Sequence, residues 1–230
     1  SDRVGILGSY DDDSRDIDIF RRESTGMIGY IQPGYVRTVI DSGTVLEDGL
    51  IDAVTDTSGI AAFGIGSNGS LYKMTAAALT TIAKVRDNAI IGATRGEGLV
   101  IYPIGTTNYL FYVWETNAGR FDLSVTYDDD WFSTIPASGA VLQDAPHPVI
   151  VGDDKMLYIG DEQDLVQLDG QTGANGTVNM AKVSLPIGWQ ITCLFKMRSY
   201  LGICAWKKVS PGQNYTTECG VFLWDYASPT

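Results

Sequence analysis

Gly64-Ile-Gly66-Ser-Asn-Gly69 is a literal G-x-G-x-x-G behind an apolar run, with TAAALTTIAKV (75–85) and AIIGAT (89–94) following it. In strand–loop–helix order, such glycines let backbone amides approach a pyrophosphate, and Asp87 would stand as the ribose partner. Two features oppose that chemistry. Asn68-Gly69 is a hairpin-turn dipeptide, and Leu71 to Met74 reads as a strand directly after it. The motif is therefore read as a turn, and no cofactor is assigned. His147 is the one histidine, held between prolines in APHP. A hydrolytic triad would need it as base, but no G-x-S-x-G elbow accompanies it, so it reads as a turn residue and no catalytic residue is assigned.

Cys193, Cys204 and Cys219 make an odd count without metal-ligand spacing, and a single histidine cannot complete a zinc set with them. If Arg198-Ser199 is a two-residue turn, Met197 faces Tyr200 and Cys193 faces Cys204, which puts a cross-strand disulfide within geometric reach. The preferred reading is three small apolar core thiols. Carboxylates are the remaining chemistry. Asp11, Asp12, Asp13, Asp16 and Asp18 cluster near the start, Asp128 to Asp130 share a loop, and Asp153, Asp154, Asp161, Glu162 and Asp164 fill two turns. Paired acids cleave glycosides and oxygen-rich loops hold Ca²⁺. No D-x-D-x-D-G is present, however, and SVTYDDDW has Thr126 where the aspartate box of sialidase-like propellers has Asp. Solvated turn acids are the expectation, and no metal site is assigned.

Trp114, Trp131, Trp189, Trp206 and Trp224 fall on or beside apolar segments and read as packing residues. Tyr109, Tyr127 and Tyr215 read as loop residues able to stack on sugars or fill a protein interface. Asn68, Asn175 and Asn214 head N-x-S/T triplets, which Gly-rich turns generate by chance.

The elements that must position these residues are short strands. Apolar residues are 44% of the 230 and charged ones 19%, which suits a folded chain, and 26 scattered glycines imply many turns. A net charge of −12 repels phosphate backbones and anionic membrane surfaces. No apolar run approaches the ~20 residues of a membrane helix, and no signal-peptide pattern opens the chain. It starts at Ser1 without an initiator Met, so a processed or trimmed start is expected.

FGIG-SNGS-LYKM, YPIG-TTNY-LFYV and LYIG-DEQD-LVQL repeat one frame: Ile-Gly (65–66, 104–105, 159–160), four residues, then a strand ending nine positions after the Ile. YLGICAW (200–206) and GVFLWD (220–225) form a looser fourth copy. Apolar strands LIDAV, AIIGAT, PVIV and ITCLF precede the copies. Self-similarity at ~40–50 residues with three or four strands per copy marks β-propeller blades, since one small sheet cannot bury both faces alone. The expected fold is all-β: an extended arm over 1–48, then blades over about 49–86, 87–140, 141–188 and 189–230. The last copy lacks its outer strand. Either blades continue past Thr230, the preferred expectation, or RDIDIF (15–20) supplies the strand.

The order of parts resembles virion-associated propeller proteins of tailed bacteriophages: a lead-in SRDIDIF…GMIGYIQPGY…SGTVLEDGLIDAV, then blades ending in phrases such as GSLYKM and GVFLWD. That resemblance implies a non-enzymatic structural part of a virus particle, in the tail, neck or fibre and present in several symmetric copies. Its partners would be other virion proteins and copies of itself. No nucleic acid, membrane or cofactor is expected as partner. The alternative is a secreted carbohydrate-binding or glycan-cleaving propeller.

Overall fold

The computed structural model describes residues 17–18, 22–23, 26–27, 30–31, 49–55, 61–75, 82–134, 141–173, 175–208 and 216–227. The chain divides into two compact units, Ser1–Val39 and Ile40–Thr230. In the first, β1 (Ile17–Asp18) pairs antiparallel with β4 (Tyr30–Ile31), and β2 (Arg22–Glu23) pairs with β3 (Gly26–Met27). Asp11, Asp12, Asp13 and Asp16 lie outside the described residues.

The second unit is built from four antiparallel sheets stacked as the blades of a β-propeller, each sheet a meander in chain order. Blade 1 holds β5 (Leu50–Thr55), β6 (Ala61–Gly66), β7 (Leu71–Thr75) and β8 (Ile82–Arg86). Blade 2 holds β9 (Gly96–Ile104), β10 (Thr107–Trp114), β11 (Asn117–Phe121) and β12 (Tyr127–Asp128). Blade 3 holds β13 (Val149–Val151), β14 (Leu157–Asp161), β15 (Asp164–Asp169) and β16 (Thr177–Ser184). Blade 4 holds β17 (Trp189–Met197), β18 (Tyr200–Lys208) and β19 (Thr216–Trp224). Among the described residues, two single helical turns come between these, α1 (Asn88–Ile91) and α2 (Trp131–Thr134).

Alternation explains the stacking. Successive residues of a strand point to opposite faces, so a strand apolar at every position packs on both sides. In β10, Leu110, Tyr112 and Trp114 join a core with Phe63, Ile65 and Leu71 of blade 1. The intervening Phe111 and Val113 join another with Leu157 and Ile159 of blade 3. Tyr158, on the opposite side of β14, packs with Leu201, Ile203 and Ala205 of blade 4. Three consecutive blade contacts thus carry three cores.

Three sequence expectations are corrected. AIIGAT is not a strand: the Asp87 carboxylate accepts from the Ala89 N–H, and Gly92, at φ 79, closes one helical turn. The four-residue turn holds only between β6 and β7. Thr107 pairs with Ile104, and Asp164 with Asp161, so Gly105-Thr106 and Glu162-Gln163 are two-residue turns, with Gly105 and Glu162 at positive φ. Ile104-Gly105 consequently closes the first strand of its blade, whereas Ile65-Gly66 closes the second.

Candidate assembly surface on the last blade

The glycine motif is a hairpin end. The Gly66 N–H donates to the Ser70 carbonyl, the Gly69 N–H to the Gly66 carbonyl, and the Ser70 N–H to Asn68 Oδ1. These amides are bonded within the turn, and a strand follows them. Asp87 caps α1 and pairs with Lys84 at 2.7 Å, which draws its carboxyl below the usual range.

His147 is fully buried, contrary to the turn reading. Its Nδ1 lies 2.8 Å from the Gly160 carbonyl oxygen, and its Nε2 lies 2.9 Å from that of Gln143 and next to that of Glu115. Neither ring nitrogen is open to a substrate. Asp161 stands 3.9 Å away and accepts from the Gln143 N–H; burial raises its carboxyl above the usual range.

The acids expected to be solvated are largely engaged. Asp129 accepts from the Tyr112 hydroxyl at 2.6 Å and pairs with Arg86 of blade 1. Burial, then the bond to Asp129, drive the Tyr112 hydroxyl far above its usual range. Asp128 faces Arg120 at 3.5 Å, and Asp130 accepts from Asn117. Asp154 accepts from the Tyr158 hydroxyl, Asp153 pairs with Lys196 of blade 4, and Asp164 accepts from Ser184. Glu162 is exposed in its turn. Among the described residues, no group of three or more His, Cys, Asp or Glu is placed to hold a metal ion. Among them, too, no helix is long and apolar enough to cross a membrane.

Most aromatics are interior. Trp114 stacks on Tyr112, Trp131 meets Phe111 edge-on, Trp189 meets Phe222 edge-on, and Trp224 meets Tyr158 edge-on. Tyr109 lies under the Arg120 guanidinium, and Tyr127 stacks on Phe121 beneath Arg86. Asn175 is exposed in a loop. Asn214 and Tyr215 lie outside the described residues.

The exception is one face of blade 4. Leu201, Ile203 and Ala205 of β18 point into the blade 3 core. Gly202, Cys204 and Trp206 therefore share the opposite face, and the register adds Phe195 and Met197 from β17. Opposite them on β19 stand Cys219, Val221 and Leu223. Val221 is 60% exposed and Leu223 50%. A groove of about 540 Å³ runs along this face beside Thr192, Cys204, Trp206 and Val221. Met197 faces Tyr200, and Cys193 faces Cys204, as a two-residue turn requires. Cys193 and Cys219 are exposed and Cys204 is half-buried. They stand on the surface face, outside the three interblade cores, which corrects the core reading. Burial first, then neighbouring Cys193, raises the Cys204 thiol.

The surface was missed in sequence because YLGICAW and ECGVFLW are apolar on both sides, as the enclosed TNYLFYVW strand also is, so the pattern does not say which side a neighbouring blade covers. No protein-family model matches the chain, and a search of curated proteins finds no match to it.

Proposed function

We propose that this chain is a non-enzymatic structural component of a tailed-phage particle, a tail or neck protein that works through protein–protein assembly. The supporting observation is the apolar face of blade 4, where Phe195, Cys204, Val221 and Leu223 stand together. A contiguous apolar patch on a chain of net charge −12 costs free energy in water and is retained where another protein covers it. Cross-linked blades make a rigid carrier for such a patch, because Arg86–Asp129 and Lys196–Asp153 tie neighbouring sheets together. The acidic balance suits a part that must not retain passing DNA. The resemblance in the order of the lead-in and the blades supplies the particle. Immunogold electron microscopy on particles from the source of the sequence tests this. Label at one end of the particle is expected; unlabelled particles overturn the reading.

A further inference from the structure

The blades stack in one sense. β9 packs against β5 and β6, β13 against β9, and β17 against β13 and β14, so each blade offers one face to its successor. In blade 1 that face carries Phe63 and Ile65, in blade 2 Phe111 and Val113, and in blade 3 Tyr158; all are at most 3% exposed. The face of blade 4 turned away from blade 3 is the same face of the next sheet in the series. It carries the same kind of side chain, uncovered: Phe195 half-buried, Leu223 and Val221 exposed.

The other end of the stack is open too. Phe63 and Ile65 point to blade 2, so Ala62, Gly64 and Gly66 face away, and the register puts Leu50, Ala53 and Thr55 of β5 with them. All three β5 residues are exposed, Leu50 at 42%. Further out on that side Tyr72 is already buried, so the accessible strip is β5, a first strand of the kind along which the other blades meet. Among the described residues, no hydrophobic core joins blade 4 to blade 1.

We infer that the outward face of blade 4 receives the β5 edge of blade 1 from a second copy of this chain, continuing the blade-on-blade interface head to tail. The inference rests on the assembly reading and names its partner. Such a contact is heterologous: it closes into a ring when the rotation allows and otherwise propagates. Two copies closing on each other give eight blades, at the upper end of the ~4–8 typical of propellers. The groove beside Trp206 then takes a side chain from β5, as the inner faces of the other blades do.

Light scattering after size exclusion is the test, with wild type, Val221→Asp and Ala53→Glu at matched concentration. Wild type is expected at twice the 24.9 kDa chain mass or in a head-to-tail series of multiples. Each substitution places a charge in the contact and is expected to weaken self-association about 100-fold, the scale of a central contact residue. An equimolar mixture of the two variants regains association, because an intact blade 4 meets an intact β5 across one junction. Circular dichroism of each variant checks folding, and Val221→Ser with Ala53→Ser stand in if a charge unfolds the chain. A wild-type monomer at 100 µM overturns the inference. So does an oligomer that Val221→Asp disrupts and Ala53→Glu leaves intact, the mark of a two-fold contact between two fourth blades. Either result leaves the particle assignment to the immunogold experiment, which is read without reference to self-association.

Discussion

At the scale of single residues, His147 sits with backbone carbonyl oxygens at both ring nitrogens, and they come from distant positions: Gly160 on one side, Glu115 and Gln143 on the other. It is a cross-link between the end of blade 2 and the second strand of blade 3. Removing the ring leaves those carbonyls buried without a donor and opens a void, so His147→Ala is expected to cost about 3 kcal/mol in chemical denaturation. A loss under 0.5 kcal/mol would place the ring outside the packing. Asp122 works differently, on the surface. It accepts from the N–H groups of Ser124, Val125 and Thr126, and the bonds from Thr126 lead in lowering its carboxyl. A lowered folded pKa adds stability above the unfolded value, lost as pH falls through the folded one. Asp122→Asn should therefore lower the melting temperature at pH 7 and do so less at pH 2.5; an equal deficit at both would show that charge is not involved. The acid runs were visible in the sequence as charge. That Arg86 comes 43 residues back to Asp129 was not, because pairing depends on which blades become neighbours.

Among elements, the glycines carry more order than their scattered positions suggest. Gly66 lies under Tyr72, Gly119 under Tyr112, Gly152 against Tyr158 and Tyr226, and Gly202 under Phe195, so aromatic rings crowd the space of a missing Cβ in each blade. Spacing hides this pattern, since the ring from the blade's own strands sits on a following strand in two blades and on a preceding one in the others. The Ile-Gly frame was legible because it marks strand ends, yet it marks the second strand in blades 1 and 3 and the first in blade 2. Turn length was illegible for a related reason: four polar residues between strands look alike whether two or four of them stay unpaired. Gly170 and Gly105 separate the demands on glycine. A Cβ on Gly170 would run into the Pro103 carbonyl oxygen across the blade 2–blade 3 contact, where the Gly105 N–H also donates to the Gly170 carbonyl. At Gly105 nothing lies within 4 Å, and only φ +58 resists a side chain. Gly170→Ala should cost about 3 kcal/mol through overpacking, and Gly105→Ala about 1 kcal/mol through backbone strain. Denaturant midpoints measure both; the reverse order would put the close approach in error.

Across the second unit, the blades form a stack in which each gains its core from its neighbours, so its stability is close to a sum of nearest-neighbour contacts. All-β architecture and blade repetition follow from strands apolar on both sides, and that was readable. Which side of the last strand pair keeps exposed residues was not, because YLGICAW and GVFLW show the same kind of apolar residue on both faces. The stack makes its ends the weakest parts: β19 keeps Val221 and Leu223 exposed, and β5 keeps Leu50 and Ile51 exposed. Head-to-tail association covers both ends at once, and whatever binds the folded chain alone raises its melting temperature with concentration. Between about 1 µM and 100 µM the melting temperature of the wild type should rise by a few degrees. Hydrogen exchange in β17, β19 and β5 should slow over the same range, while β10 and β14, already enclosed, stay protected throughout. Val221→Asp should abolish both dependences without altering β10 or β14. Melting that ignores concentration, with β5 and β19 exchanging equally fast at both, would leave the fourth blade's face for a different protein to cover.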